Sequence, residues 1–171
     1  MTFQELVQTR YSVRAYKDTP VEEEKLRLIL EAGRLAPSAR NQQPQRIYVA
    51  KSKESIQKIA SVCRFTFGAP VMLVICYDLD RCWYNPMMPE YHSGETDAAV
   101  VCDQMMMQAL DLRLGTCWVG HFNAQQISDV LELPKNHVVS AMLTIGYPAE
   151  DAEPGPRHWQ KRDLADIVEE I

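Results

Sequence analysis

Apolar and polar positions along the chain alternate between helical and strand spacing, which predicts a mixed α and β protein. Phe3, Leu6 and Val7 recur at helical spacing, so a short helix should end just before residue 10, with Thr2 able to cap its front. Further helices are predicted at 21–35, 52–60, 96–114 and 123–131, and strands at 46–50, 71–76, 116–120 and 138–147.

The apolar run from Val71 to Cys76 is the best candidate for a central strand. It is continuous and does not alternate, and such a run is typical of a strand that is buried on both faces of a sheet. The acidic, proline-bearing segment 149–156 is interpreted as an arm that crosses the surface. Leu164, Ile167 and Val168 then predict either an added edge strand or a terminal helix.

The helix predicted at 96–114 is apolar on nearly all sides. Asp97 stands at its front and Gly115 is a plausible C-cap. A single short chain cannot easily cover every face of such a helix, so part of it should pack against a second subunit. Its methionines, Met105 to Met107, are either core filler or a soft-metal site, and helical spacing favours core filler.

Two segments show no periodicity and are predicted to be loops. Residues 37–44 are rich in Asn and Gln and are bounded by prolines; their amides suit a heteroaromatic ring with alternating donor and acceptor edges, although polar loops are also common on any surface. Residues 80–95 are aromatic and proline-bearing. They are either a lid over a flat ligand or an irregular excursion that packs on its own side chains.

Composition indicates a water-soluble chain of ordinary size. The 171 residues are enough for one domain, predicted to span residues 1–171, and 46% hydrophobic with 24% charged residues is typical of globular proteins. No apolar run approaches the roughly 20 residues of a membrane span, and the first ten residues do not resemble a signal peptide, so a cytoplasmic protein is expected. The net charge of −5 disfavours nucleic acid as a partner.

Cysteines and histidines give no metal or dithiol motif. The five cysteines stand singly without a C-x-x-C pair, and the four histidines show no pairing at i, i+4. Reduced, mostly buried thiols and no metal site are therefore expected.

The segment Arg10-Tyr11-Ser12-Val13-Arg14 carries the strongest chemical signal. In extended chain, side chains at alternate positions point the same way, so two guanidiniums and a hydroxyl would share one side. Arginine forks match phosphate oxygens and stay charged at physiological pH. The segment is thus either an anion clamp or an ordinary solvated basic turn.

Four motifs, taken in order along nearly the whole chain, resemble the nitroreductase family of FMN-dependent oxidoreductases. They are Arg10-x-Ser12-x-Arg14, Pro37-Ser38-x-x-Asn41-x-Gln43-Pro44, the run from Leu114 to Gly120, and Gly146-Tyr147-Pro148. The resemblance implies an α+β nitroreductase-like fold with a central, mainly antiparallel sheet flanked by helices. It also implies an intertwined homodimer with FMN at the subunit interface, and NADH or NADPH as electron donor to a small aromatic substrate.

The resemblance also implies which residues meet the cofactor. Arg10, Ser12 and Arg14 would hold the FMN phosphate, and Lys161 or Arg162 would close that site from the C-terminal arm. Residues of the 37–44 loop would reach the flavin from the partner subunit, and the backbone of Val119 and Gly120 would face its N5 edge. The full implied set is Arg10, Tyr11, Ser12, Arg14, Pro37, Ser38, Ala39, Asn41, Trp118, Val119, Gly120, Lys161 and Arg162. No catalytic side chain is implied, because the chemistry occurs at N5 of the flavin.

The leading hypothesis is an NAD(P)H-dependent reductase of nitroaromatics, quinones or similar flat acceptors. Other members of the wider superfamily are reductive dehalogenases or oxygen-dependent flavin-fragmenting enzymes, and Tyr91 and Glu95 could bind a zwitterion in such a protein. A non-turnover FMN-binding protein, and a plain α/β domain without flavin, are the remaining alternatives. The absence of a G-x-G-x-x-G fingerprint is compatible with the leading hypothesis, because NAD(P)H would stack directly on the flavin.

Overall fold

The computed structural model describes all residues from Met1 to Ile171 and contains five α-helices and six strands. The helices are α1 (Phe3–Thr9), α2 (Glu23–Leu35), α3 (Lys53–Ala60), α4 (Gly94–Asp111) and α5 (Ala124–Val130). The strands are β1 (Gln45–Ala50), β2 (Val71–Asp78), β3 (Tyr84–Asn85), β4 (Met88–His92), β5 (Gly115–Val119) and β6 (His137–Gly146). Four of them form an antiparallel sheet in the order β1-β2-β6-β5.

Strand β2 lies at the centre of this sheet, as its continuous apolar run predicts. All eight of its residues are buried, and it pairs with β1 on one side and β6 on the other. Its apolar side chains therefore serve both faces of the sheet, which confirms the prediction of a strand buried on both sides.

Each face of the sheet packs against its own pair of helices. On one face, Leu73 and Ile75 of β2 join a core that includes residues of α2 and α4. On the other face, Met72 and Val74 join a core that includes Ile59 of α3 and Ile127 of α5. Burying an apolar side chain of this size contributes roughly 1.5–3 kcal/mol. The sequence-based expectation of an α+β fold with an antiparallel sheet flanked by helices is confirmed.

Helix α4 is covered by α2 at an unusually close approach. A β-carbon added at Gly33 of α2 would stand 2.8 Å from the sulfur of Met105, so the absence of a side chain at Gly33 allows the two helices to meet. The methionine is fully buried in the apolar core, as expected of core filler.

The C-terminus of α4 differs from the prediction of a Gly115 cap. Arg113, with φ of 65°, takes the left-handed position, while its N–H bonds to Leu110 and the N–H of Leu114 bonds to Ala109. This is a Schellman arrangement, and the buried Leu114 supplies its apolar contact. Gly115 instead begins β5, where a β-carbon would stand 2.7 Å from Val13.

The shorter helices begin at polar capping residues that the sequence places just before them. Thr2 forms a capping box with Glu5 at the start of α1, which ends just before residue 10 as predicted. Ser52 and Asn123 cap α3 and α5 through their side-chain oxygens.

Two predictions for the irregular segments need correction. Residues 80–95 are not without regular structure, because β3 and β4 form an antiparallel hairpin within them. Residues 164–168 form neither an edge strand nor an α-helix; the segment carries only a 3-10 turn at Leu164–Asp166, and its apolar side chains are exposed. Neither edge of the sheet, β1 or β5, pairs with this tail.

All five cysteines are buried and unpaired, as the sequence predicts. No helix combines the length and the hydropathy that crossing a bilayer requires.

Candidate functional site

The segment from Arg10 to Arg14 is extended and lies against β5. Ser12 forms a parallel bridge with Thr116, and the N–H of Val13 donates to the Thr116 carbonyl at 2.9 Å. Val13 is only 2% exposed and points into the protein. The alternation of side chains therefore places Arg10, Ser12 and Arg14 together on the opposite side, as the spacing predicts.

These three side chains line an open cleft of about 610 Å³. Its lining contains no acidic residue and is mostly polar or basic: Arg10, Ser12, Arg14, Gly155, Pro156, Arg157, His158, Gln160 and Lys161. None of the four Lys and Arg side chains in that set has a carboxylate within 4.0 Å. The cleft is thus a concentration of unpaired positive charge in a chain whose net charge is −5.

The far wall of the cleft is the arm that follows β6. The N–H of Ala149 donates to the carbonyl of Ala15 at 3.0 Å, and the Tyr11 hydroxyl donates to the carbonyl of Ala152 at 3.1 Å. Tyr11 therefore fastens the arm and does not line the cleft itself.

The arm brings some of the C-terminal basic residues to the cleft and not others. Lys161 lines it, whereas Arg162 does not. Arg157 also lines it, from a 3-10 turn at Pro156–Trp159 that Pro156 begins. The family resemblance implies Lys161 or Arg162 but not Arg157, although the sequence carries a basic cluster from residue 157 to residue 162. That cluster was the available signal.

Two hydroxyls, of Thr144 and Tyr16, hold the backbone of the 10–14 segment, which is called the clamp from here on. Thr144 is fully buried; its hydroxyl accepts from the N–H of Cys117 at 3.1 Å and lies 2.7 Å from the Tyr16 hydroxyl. Tyr16 in turn donates to the carbonyl of Val13 at 3.0 Å, which ties the clamp backbone to β6. Burial raises the pKa of Tyr16, so this hydroxyl remains a donor at physiological pH.

The thiol of Cys117 lies under the clamp. Burial raises its pKa, while Arg14, a hydrogen bond from Ser12, and Arg10 act in the opposite direction. The net effect is a raised pKa, which keeps this thiol neutral near pH 7.

Trp118, Val119 and Gly120 lie at the far end of β5. Thr116 contacts the clamp, and a strand rises about 3.3 Å per residue, so Gly120 lies roughly 13 Å further along. Trp118 is partly exposed, Val119 is buried, and a β-carbon built on Gly120 would meet no atom within 4 Å. The backbone after β5 therefore faces open space.

The 37–44 loop lies apart from the cleft, and Pro37, Ser38, Ala39 and Asn41 do not line it in the same chain. A short 3-10 turn spans Ala39–Asn41, and the N–H of Gln43 donates to the Ser38 hydroxyl at 3.0 Å. This loop and the clamp are not brought together within one chain.

The β3–β4 hairpin presents large apolar side chains to solvent. Tyr84, Met87, Met88 and Tyr91 are exposed by 41% or more. At its base, the ring of His92 packs between those of Tyr77 and Tyr84, at centroid distances of 5.5 and 5.6 Å. Burial, followed by the Glu95 carboxylate, raises the pKa of Tyr77 to about 12.

The residues of the cleft fit a phosphate group. Arginine offers planar forks that bind phosphate oxygens in pairs, and Ser12 adds a hydroxyl donor, so the lining supplies donors and positive charge without a competing carboxylate. The open space over Gly120 leaves room for a flat group beside the backbone. The donor set and the open strand end thus suit a phosphate-bearing cofactor with a planar ring.

Comparison with known proteins matches the chain to one family. The model of the Nitroreductase family matches residues 7–64 and 61–147. The chain is 31% identical over 165 residues to an FMN reductase [NAD(P)H] of Bacillus subtilis, covering 85% of this chain and 66% of that protein.

Solved structures share the fold over nearly the whole chain. A nitroreductase family protein of Clostridium difficile 630 superposes with a TM-score of 0.92 at 36% identity, covering 99% of this chain and 98% of the other. A chain from Desulfovibrio desulfuricans, solved in complex with FMN, superposes with a TM-score of 0.82 at 28% identity, covering 100% and 97%.

Proposed function

Because this chain belongs to the nitroreductase family, we propose that it is an FMN-dependent oxidoreductase in which residues 1–171 act as one nitroreductase-like domain. It passes hydride from NADH or NADPH, through FMN, to a flat acceptor such as a nitroaromatic or a quinone. Relatives named FMN reductase [NAD(P)H] and NADPH-flavin oxidoreductase, and a solved relative in complex with FMN, support the cofactor and the electron donor.

The observation that carries this proposal is the acid-free cleft at the clamp. Arg10 and Arg14 would take the phosphate from one wall, and Arg157 and Lys161 from the other. Two unit charges 4 Å apart attract by about 4 kcal/mol at the effective dielectric constant near a protein surface, against about 1 kcal/mol in bulk water. Because no carboxylate competes for these cations, most of that attraction is available to the ligand.

The strand end supplies the second contact. Bound FMN would supply the chemistry of hydride transfer at its ring. The backbone at Val119 and Gly120 would donate hydrogen bonds to the edge of that ring, because the space over Gly120 is open. Fixed donors of this kind cost no reorganisation during the reaction, and they would orient the ring so that one face stays accessible.

Exposed apolar surface supports a homodimer. Helix α1 has no buried residue, and Phe3 is 70% exposed beside a cavity of about 620 Å³ that Met107 of α4 also lines. In the tail, Leu164 and Ile167 are exposed by 71% and 57%. A second copy would cover these side chains, and its 37–44 loop would approach the flavin of the first; the distance between the loop and the cleft within one chain supports this arrangement. A cytoplasmic location also remains a prediction.

The geometry gives no support to a zwitterion site at Tyr91 and Glu95. The Glu95 carboxylate accepts from the Ser140 hydroxyl at 2.5 Å, and the Tyr91 hydroxyl lies 3.3 Å from that of Thr96. Both groups already have partners within the chain.

Visible spectroscopy of the purified protein tests the proposed function. Flavin bands should be present, and NADH or NADPH added without oxygen should bleach them; a nitroaromatic or quinone should then restore them. Bands that NAD(P)H leaves unchanged would replace the proposal with a non-turnover FMN-binding protein. A colourless protein that takes up no added FMN would refute the cofactor assignment.

A further inference from the structure

One buried carboxylate connects two segments of the candidate site. Asp97, in the first turn of α4, is 4% exposed. Its Oδ1 accepts from the backbone N–H of Ala39 at 2.9 Å, and its Oδ2 accepts from the hydroxyl of Ser93 at 2.7 Å. Each carboxylate oxygen thus holds a different part of the chain.

Ser93 extends this connection to the base of the β3–β4 hairpin. Its hydroxyl accepts from the backbone N–H of Trp83 at 3.2 Å, and its own N–H donates to the Trp83 carbonyl at 3.0 Å. The two residues therefore close the hairpin just before β3 and just after β4. Through Ser93, the Asp97 carboxylate is linked to the hairpin as well as to the 37–44 loop.

The 37–44 loop needs an external anchor because its backbone is strained. Arg40, Asn41 and Gln43 have φ values of 51°, 57° and 50°, in the left-handed region that residues other than glycine rarely adopt. Such conformations persist only where the surroundings enforce them. The Ala39 N–H is the backbone donor that leaves this loop for a buried side chain, immediately before the strained residues.

We propose that Asp97 is a positioning residue that fixes the flavin-facing 37–44 loop and the β3–β4 hairpin in one relative geometry. The inference rests on the proposed function, in which that loop meets the flavin, and it adds that the hairpin is the lid over the acceptor, one of the two alternatives for residues 80–95. A single carboxylate then sets both the retention of FMN and the fit of the acceptor. The Asp97 contact and the packing of His92 would together fix the position of the exposed aromatic and methionine side chains of the hairpin, which include Tyr84 and Met88.

Three variants separate the two contacts of the Asp97 carboxylate, one to Ala39 and one to Ser93. Asp97→Ala removes both contacts. Ser93→Ala removes the contact that leads to the hairpin, while the contact to Ala39 remains. Asp97→Asn keeps most of the geometry, because its amide oxygen can accept from Ala39 while its NH₂ donates to the Ser93 hydroxyl. Asp129→Ala, at an exposed carboxylate of α5, is the matched control.

Backbone hydrogen exchange of the full chain gives a readout that does not depend on turnover. Asp97→Ala should speed exchange about tenfold at the amides of both Ala39 and Trp83, although it contacts Trp83 only through Ser93. Ser93→Ala should speed exchange at Trp83 alone. Asp97→Asn and Asp129→Ala should change either rate by less than about threefold.

Binding and kinetics complete the test. Asp97→Ala should raise the Kd for FMN about tenfold and the KM for a nitroaromatic or quinone acceptor by a similar factor. Ser93→Ala should raise the acceptor KM while the Kd for FMN stays within about twofold. Asp97→Asn should restore both values, which a general loss of stability would not explain.

Three results would overturn the inference: an unchanged Ala39 exchange rate in Asp97→Ala, equal loosening of Ala39 and Trp83 in Ser93→Ala, or no rescue by asparagine. Failure of the proposed function would look different. In that case the wild-type protein would bind no FMN or would not be bleached by NAD(P)H, while the exchange pattern of the variants would still report on the anchor.

Discussion

Replacing Arg10 with glutamine should weaken FMN binding more than the same change at Arg14. Both side chains face the acid-free cleft, but Arg10 is half-buried whereas Arg14 is exposed. Solvent screens an exposed charge more strongly, so the same unit charge interacts more strongly with a phosphate at the less exposed position. The two substitutions thus compare one chemical change in two dielectric surroundings.

The expected magnitudes follow from that difference. Loss of a partly buried charge partner costs about 2 to 4 kcal/mol, so Arg10→Gln should raise the Kd for FMN roughly 30-fold to 1,000-fold. Loss of an exposed partner costs about 1 kcal/mol or less, so Arg14→Gln should raise the Kd by about fivefold or less.

Titration of flavin fluorescence on cofactor-stripped protein measures these affinities. It should be repeated at about 0.1 M and about 1 M salt, because the Debye length falls from about 10 Å to about 3 Å over that range. The penalty at Arg14 should shrink at high salt, and that at Arg10 should largely persist. Arg27→Gln is the control, since it removes the same charge from the exposed face of α2. A Kd for Arg10→Gln within twofold of wild type, or an equal loss in the control, would refute the phosphate clamp.

Two further predictions concern stability and are measured by urea unfolding. Asp78→Ala should lower the free energy of unfolding by about 1–3 kcal/mol, because this buried carboxylate accepts from the partly exposed guanidinium of Arg46 at 3.0 Å and from the Asn136 amide at 2.8 Å, and both donors would lose it. The control is Asp80→Ala, at an exposed carboxylate, which should cost less than about 1 kcal/mol. Burial raises the pKa of the Cys76 thiol from about 9 to about 12, so above pH 9 the unfolded chain loses a proton that the folded chain keeps. Other buried thiols and tyrosines, Cys82, Cys117 and Tyr77 among them, also have raised pKa values, so both proteins should lose stability at alkaline pH. Between pH 9 and 12 the wild type should lose up to about 1.4 kcal/mol per pH unit more than Cys76→Val; equal declines in the two proteins would contradict this account.

The shared side of Arg10, Ser12 and Arg14 could be predicted from sequence because local chemistry determines it. Arg10, Ser12 and Arg14 alternate with the apolar Val13, and an extended segment that buries Val13 must direct the other three outward. Strand β2 could be predicted for a similar reason, since its composition alone requires burial on both faces.

Other parts of the site depend on contacts between distant segments. Arg157 reaches the cleft because the Tyr11 hydroxyl and Ala15 hold the arm, and nothing in the local sequence around residue 157 specifies that path. The β3–β4 hairpin lacks the alternation of an ordinary strand pair and includes Pro86 and Pro89. Its closure relies on tertiary contacts at its base, which periodicity does not reveal.

Wrong assignments also have physical causes. Gly115 looked like a helix cap because glycine is favoured at that position, but Arg113 adopts the left-handed conformation instead, and the close approach of Val13 is what requires Gly115. The tail from Leu164 onward is apolar enough to predict a strand or a helix, yet it has no surface to pack on within a single chain.

The two walls of the cleft come from opposite ends of the chain, so they can meet only late in biosynthesis. Tyr11 and Ala152, which fasten the two walls of the cleft, lie 141 positions apart. The central strand β2 must likewise wait for β6, since Val71 pairs with Ile145. A nascent chain on the ribosome can therefore form neither the complete sheet nor the complete cleft until its last segments have emerged. Such long-range pairing is intrinsically slow and leaves apolar strands exposed meanwhile. Cofactor capture would then be a late event, because the arm that forms one wall of the cleft is among the last segments to emerge.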